Sequence, residues 1–454
     1  MTEIKFGTDG WRATREDFTE ENVARIALAC AEYIGKSDTP VPVSFDNRLD
    51  SDKFALIAAK MLESCGIPAV ITENSVPTPV LSYMVREFKS PLGIMITASH
   101  NPANWNGFKI KGPYAGSADP KITAKVQSLI DYKKTIQIPN ICIKTFDPKP
   151  GYFKVLSKFI DIDLISSAKL ELLINPMHGS GIGYLSEFLK GKANIREINN
   201  NIDHEFGGIN PEPIDKNLKG FMSECKKSGI SGISLDGDSD RLSGMGTDGV
   251  WINTHQIFAM LLKHLVMNKK WTGTVVKTFN LSDMISIMAD KYSLPLKVTP
   301  IGFKYICDLM LSSDVLMGGE ESGGMGFKYH IPERDAILAS LLLIEAMAIS
   351  KKSLNGMLGD IFEEFGRLYY DRVDLHLTDD QKQSVKTKLK GISEFAGRKI
   401  ADIQTLDGTK LVFDNGDWIM FRASGTEPIL RIYCEASDPQ MVKEMLKNAT
   451  SFAS

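Results

Sequence analysis

This chain is expected to be α/β for most of its length and to close in a smaller α+β domain. Three observations carry that expectation. Four short apolar runs rich in Ile, Leu, Val or Met empty into loops of small and polar residues. Amphipathic stretches of helical length separate those loops. The alternation stops after about residue 365, where "FGRLYYDRVDL" opens a tail of a different pattern.

The four runs and their loops are "LGIMITASHNP" from Leu92, "SGISLDGDSDR" from Ser231, "DVLMGGEESGG" from Asp314 and "DWIMFRASGTEP" from Asp417. Apolar runs this short, bounded by turn signals, suit buried strands better than helices. In α/β sheets ligands bind beyond the carboxyl ends of strands, where such loops sit. Among the helical stretches, "SDKFALIAAKMLESCG" from Ser51 has a capping residue, apolar spacing of three and four, and a stopping glycine. "RDAILASLLLIEAMAIS" from Arg334 is apolar nearly all round, which predicts a sandwiched helix. Boundaries are expected at the Pro-rich "FDPKPGY", after "GTDGV", and near "FGRLYYDRVDL". The resulting domains are 1–148, 149–251, 252–366 and 367–454, and 454 residues suit three or four domains.

Apolar content of 43% and charged content of 24% describe a folded, soluble chain. A formal net charge of -3 supplies no basic field for nucleic acid or a membrane surface, so any anionic ligand must be held by local charge. The six cysteines are scattered and form no C-x-x-C pair, which argues against disulfide frameworks and zinc ribbons. The N-terminal stretch is polar and no apolar run reaches membrane-span length, so the expected location is the cytoplasm. "GKS" at Gly35 to Ser37 lacks the first P-loop glycine, Cys30 standing there, and reads as helical. "HGSGIG" at His178 reads as a loop, while His330 and His376 read as structural.

"DGDSDR" is the most specific local feature, with Asp236, Asp238 and Asp240 at alternate positions directly after "ISGISL". Carboxylates packed so closely repel one another unless a cation sits among them, which points to a divalent ion. A calcium loop of the EF-hand type is excluded, because Arg241 and Thr247 stand where that motif needs Gly and Glu. Three carboxylates leave coordination places for water or a phosphoryl oxygen, as magnesium sites in phosphoryl transfer do. Arg241 is placed to clamp the same phosphate.

"RASGTEP" offers Arg422, Ser424, Gly425 and Thr426, with Arg431 on the following strand: the inventory of an anion nest, with a plain tight turn as the alternative. "GGEESGG" sets Glu320, Glu321 and Ser322 among glycines, which suits hydrogen bonding to sugar hydroxyls; a surface loop is the alternative there. Ser99 in "TASHNP" is a poor hydrolase nucleophile, since in an extended segment the side chain of the adjacent His100 diverges from it. A serine that carries a phosphoryl group, neutralised by the metal, fits the other loops better.

Taken in order and spacing, "TASHNP", "DGDSDR", "GEESGG" and "RASGTEP", with the opening "FGTDGWRA", resemble the loops of the α-D-phosphohexomutases over nearly the whole chain. The resemblance implies four domains around a central cleft: three related α/β domains with mixed sheets and a smaller C-terminal α+β domain. It implies that Ser99 is phosphorylated in the resting enzyme and that Asp236, Asp238 and Asp240 hold one Mg²⁺ together with a phosphoryl oxygen on Ser99. Lys109 and His100 are implied as acid/base groups, Arg12 and Arg241 as supports of the phosphoserine. Glu320 and Ser322, with Gly302 and Lys304 of "GFK", are implied at the sugar, and Arg422, Ser424, Gly425, Thr426 and Arg431 at the non-reacting phosphate. The implied reaction interconverts glucose 1-phosphate and glucose 6-phosphate through glucose 1,6-bisphosphate, which also serves as activator. Phosphomannomutase and phosphoglucosamine mutase are the alternatives. Ser239 stands where many members have glycine, and the Glu-Glu-Ser sugar loop is most similar to phosphoglucomutases. The expected partner is a small phosphosugar, with neither nucleic acid nor membrane, and the expected state a monomer or weak homo-oligomer.

Overall fold

"GIMI", residues 93–96, is buried at every position, as a strand covered on both faces requires. In a computed structural model of the chain it lies inside a six-stranded sheet. The structure describes residues 3–7, 10–424 and 428–453. These fall into two compact units: Met1–Thr274 with Gly302–Gly359, and Val275–Ile301 with Asp360–Ser454.

The first sheet of the larger unit contains β1 (Trp11–Thr14), β2 (Val41–Phe45), β3 (Ala69–Thr72), β4 (Gly93–Ile96), β5 (Trp105–Lys111) and β6 (Lys144–Phe146), in the order β1-β5-β4-β2-β3-β6. Pairing is parallel around β2 and β3 and antiparallel around β5, so the sheet is mixed. The β4–β5 connection leaves the carboxyl end of β4 and carries Ser99. The expected helix forms over Ser51–Ser64, with Ala55, Ala58, Ala59 and Leu62 fully buried. Ser51 does not cap it, however: its hydroxyl donates to Asp46 Oδ1 at 2.9 Å, and the cap position Asp50 makes no side-chain cap bond. The side chain has a buried carboxylate within reach, a stronger acceptor than its own backbone offers. "GKS" is also not helical; Gly35 ends the helix Glu20–Ile34 with φ +71°.

The second sheet contains β7 (Glu171–Asn175), β8 (Asn194–Glu197), β9 (Gly232–Leu235), β10 (Leu242–Met245) and β11 (Trp251–Ile252), ordered β11-β10-β9-β7-β8 and again mixed. "HGSGIG" is the loop leaving β7, as expected. The acidic loop joins β9 to β10. An antiparallel hairpin, Val315–Gly319 with Met325–Phe327, presents "EESGG" at its turn. The sandwiched helix runs over Ala336–Ser350 and is buried through Ala348. Its cap, Asp335, accepts from Leu338 N, and also receives the Tyr152 hydroxyl at 2.6 Å and meets His330 Nε2 at 2.7 Å. His330 is thus structural. Ala336 N donates to Ser239 O, tying this helix start to the acidic loop.

In the second unit a parallel pair, Val275 to Thr278 with Leu296 to Thr299, stands beside residues of the tail. The tail forms an antiparallel sheet in the order Tyr369–His376, Ile429–Ala436, Trp418–Ala423, Thr409–Phe413, Arg398–Gln404, Glu394–Phe395. Helix Pro439–Ala453 covers one face through Val442, Met445 and Ala449. The departure from the α/β pattern expected after residue 365 is therefore observed. Among the described residues no helix is long and apolar enough to cross a membrane.

Candidate active site

Ser99 is fully buried and adopts a left-handed backbone, φ +54°, uncommon for a residue with a side chain. Neighbours over-determine that conformation. Ser99 N donates to Thr97 Oγ1 at 2.9 Å, and Thr97 Oγ1 donates to buried Asp46 at 2.6 Å. The turn rather than an extended path brings His100 Nδ1 to 3.4 Å from Ser99 Oγ. The expected divergence of the two side chains is therefore corrected: it holds for extended backbone, and this backbone is not extended. Ser99 Oγ donates to Asp236 Oδ2 at 3.1 Å. Arg12, from β1, donates to Asn101 Oδ1 at 2.7 Å, beside the same loop.

Asp236, Asp238 and Asp240 are all completely buried, and one ligand oxygen from each lies within 4.8 Å of the others. Asp236 Oδ1 accepts from the backbone N–H groups of Asp240 and Arg241, which curls the loop. Lys109, on β5, donates to Asp238 Oδ2 at 2.8 Å and lies 3.7 Å from Asp240. Thr78 donates to the same Asp238 oxygen at 2.6 Å. Arg334 Nη2 is 2.8 Å from Asp240 Oδ2, a close charge pair without hydrogen-bond alignment. Arg241 Nε flanks the cluster, 3.6 Å from Asp240 and 3.9 Å from Asp236.

Burial pushes Asp236 and Asp240 above the usual carboxylate range, and repulsion from Asp238 adds to it. Burial acts the same way on Asp238, but Lys109 and Thr78 outweigh it and hold that carboxyl below its usual value. His100 is pushed well below the ordinary histidine value, by burial first and then by Arg241 and Arg12. The donor set fits a divalent cation. Asp238 Oδ1 and both Asp240 oxygens are buried without a hydrogen-bond partner, the state expected of oxygens meant for a metal.

Glu320 is 6% exposed, and its carboxylate is 3.4 Å from Arg334 Nη1. Arg334 therefore spans the acidic loop and the hairpin turn. Arg241 and Gly324 form a β-bridge that joins the same two segments. Gly302 begins the helix Phe303–Ser312 with φ +133°, and the Phe303 ring faces the Arg334 guanidinium at 5.6 Å. Lys304 packs over Tyr305, and Ser322 is half-buried at the turn.

Within the second unit Arg422 and Arg431 are cross-strand partners. Arg422 pairs with Asp407 at 3.1 Å, and Arg431 lies 3.9 Å from Asp374. Ser424 is buried, with its N–H on Ile429 O. Gly425 and Thr426 lie outside the described residues.

One predicted group is thus assembled: Ser99, His100, Lys109, Arg12, the three aspartates, Arg241 and Glu320. Thr97, the first residue of "TASHNP", also belongs to it, as do Thr78, Asp46 and Arg334, to which no loop motif pointed. Arg334 carried a signal only as the polar start of an apolar helix.

This fold and site define a phosphoryl-transfer enzyme of the phosphohexomutase class. Family models described as "Phosphoglucomutase/phosphomannomutase" match the chain as α/β/α domains I, II and III at residues 3–137, 150–249 and 253–365, and as the C-terminal domain at 378–450. The chain belongs to the phosphoglucomutase/phosphomannomutase family. It is 29% identical to a phosphoglucomutase/phosphomannomutase of Thermococcus kodakarensis, covering 97% of this chain and 96% of that one. It is 27% identical to a probable phosphoglucosamine mutase of Methanothermobacter thermautotrophicus, covering 96% and 95%. The structure of a putative phosphomannomutase from Thermus thermophilus superimposes with a TM-score of 0.90 at 31% identity, covering 99% of both chains.

Proposed function

We propose that this phosphohexomutase interconverts glucose 1-phosphate and glucose 6-phosphate through a phosphoserine at Ser99, with glucose 1,6-bisphosphate as intermediate and activator. The observation that carries the reading is the Ser99 hydroxyl on Asp236, inside a buried three-carboxylate cluster lined by Lys109, Arg241 and Arg334. A buried serine aimed at carboxylates has no use as a hydrolase nucleophile, but suits a carrier whose phosphate shares a cation with them.

Asp236, Asp238 and Asp240, with a phosphoryl oxygen on Ser99, would hold one Mg²⁺, which neutralises phosphate charge when bound. In the first half-reaction the Ser99 O–P bond breaks and a bond from phosphorus to the free sugar hydroxyl forms. The proton lost by the sugar hydroxyl is matched by one returned to the serine oxygen, with His100, whose Nδ1 lies 3.4 Å from Ser99 Oγ, and Lys109 as the acid/base groups of that exchange. The second half-reaction reverses these steps with the other phosphate. Arg12 and Arg241 support the phosphoserine, while Glu320, Ser322, Gly302 and Lys304 face the sugar. The Arg422 loop, with Ser424, Gly425, Thr426 and Arg431, binds the non-reacting phosphate through donors that serve either orientation. We place the enzyme in the cytoplasm as a monomer or weak homo-oligomer.

The test is a coupled assay with Mg²⁺ and trace bisphosphate. Turnover of glucose 1-phosphate is expected, and its absence defeats the reading. Relatives bear the names phosphomannomutase and phosphoglucosamine mutase, so kcat/KM for the mannose and glucosamine phosphates is measured alongside. A higher value for either reassigns the sugar.

A further inference from the structure

Arg48 is 2% exposed and spends all five of its N–H donors on one short segment and its neighbour. Its Nη2 donates to Ser99 O at 2.6 Å and Asn101 O at 2.7 Å. Its Nη1 donates to Pro102 O at 2.7 Å and Trp105 O at 3.0 Å. Its Nε donates to Asp46 Oδ2 at 3.2 Å. Asp46 is itself locked by the Arg48 N–H and the Ser51 and Thr97 hydroxyls, and the Phe206 ring closes over the guanidinium at 4.9 Å.

Four carbonyl oxygens turned toward one buried side chain repel each other and each needs a donor. A single planar cation with forked donors resolves both problems, and no other side chain presents that many donors in fixed directions. The carbonyl of Ser99 is among the four, and Ser99 holds the left-handed conformation that aims its hydroxyl at Asp236. Arg48 touches neither Ser99 Oγ nor the carboxylates of the acidic loop in any of these five bonds.

We propose that Arg48, oriented by Asp46, is a positioning residue for phosphoryl transfer: it sets the backbone of residues 99–105 so that Ser99 Oγ stays in line with the acidic cluster. This rests on the mutase reading. Its signature is a loss in kcat with KM and the fold retained, because substrate is gripped elsewhere while the donor oxygen drifts.

The experiment compares wild type with Arg48→Lys, which keeps the charge but offers fewer donors without the fork. Arg25→Lys is the control. Arg25 is a second buried arginine of the same unit that donates to backbone carbonyls, of Asp131 and Lys134, outside the site. For Arg48→Lys, kcat for glucose 1-phosphate is expected to fall on the order of a hundredfold, with KM within about twofold. Amide hydrogen exchange over residues 99–105 should accelerate, and phosphoryl uptake from glucose 1,6-bisphosphate should slow. Arg25→Lys should lower the melting temperature and leave kcat unchanged. If Arg48→Lys does not fold, Asp46→Asn decides on the same readouts. A folded Arg48→Lys with kcat within about twofold of wild type, or a rise in KM alone, overturns the inference. A wild type inert on every hexose phosphate overturns the mutase reading instead, and the inference with it.

Discussion

The Ser99 hydroxyl donates to Asp236 Oδ2 across 3.1 Å, joining residues 137 positions apart in the chain. Neither side chain is accessible to solvent. Ser99→Ala should therefore abolish phosphoryl uptake from glucose 1,6-bisphosphate, read as intact mass after phosphatase treatment. Mutase activity should disappear with it while the melting temperature stays near that of wild type. Uptake of one phosphoryl group by the variant would place the carrier elsewhere.

Asp238 is the carboxylate on which Lys109 and Thr78 converge, and its Oδ1 has no hydrogen-bond partner. Asp238→Asn preserves shape and removes charge. Activity should fall on the order of a hundredfold or more, and Mg²⁺ binding measured by calorimetry should weaken. Chelation of wild type should abolish turnover and Mg²⁺ should restore it. Unchanged activity in the variant would contradict ligation at this position.

Gly237 presses against the serine loop so closely that a Cβ on it would meet Ser99 O at 2.7 Å and Pro211 Cγ at 3.1 Å. The obstacle is backbone, which cannot swing aside. Gly237→Ala is expected to cost about 1–3 kcal/mol of stability through overpacking, and to lower kcat more than KM rises. Denaturant titration and steady-state kinetics check both; wild-type kinetics in the variant would show that the loops tolerate separation.

In the second unit the Lys410 ammonium is 3.9 Å from the Trp418 ring centroid and 3.3 Å from Asp283, which also pairs with Lys277. Glu435 receives the Asp283 N–H and the Trp418 indole N–H nearby, and the Phe279 ring closes the group. Burial pulls Lys410 down to about 8, with Asp283 opposing and Lys277 assisting. Between that value and the ordinary lysine value of about 10.4, the unfolded chain binds more protons at this residue than the folded one, so its contribution makes stability rise with pH. The penalty is fully present below pH 8. Subtracting the stability curve of Lys410→Met from that of wild type should leave a difference that rises across this window; a flat difference would show that Lys410 titrates normally.

Local sequence was enough to identify the loops, because phosphate and metal chemistry demands particular atoms at short spacing. "DGDSDR" could be read as a cation site without a partner in view, and the three carboxylates do converge. Ser51 shows where local reading misleads: a hydroxyl at a helix start is a cap by its neighbours in sequence, but Asp46 claims it in space. The direction of the His100 side chain departs from the extended-segment expectation for a related reason. Whether its ring meets Ser99 depends on one backbone angle, and that angle is held by Thr97, Asp46 and Arg48.

What the sequence determined by itself is the set of strand-ending loops, the side chains each offers, and the change of architecture after residue 365. All follow from side-chain types and periodicities within a dozen residues. What only the tertiary structure decided is which groups share the site. Thr78 reaches it from the start of a helix, and Arg48 and Arg334 from the short connections ahead of helices Ser51–Ser64 and Ala336–Ser350. Their placement follows from sheet order and from the requirement that buried charges and carbonyls find partners, conditions met only once the whole unit has folded.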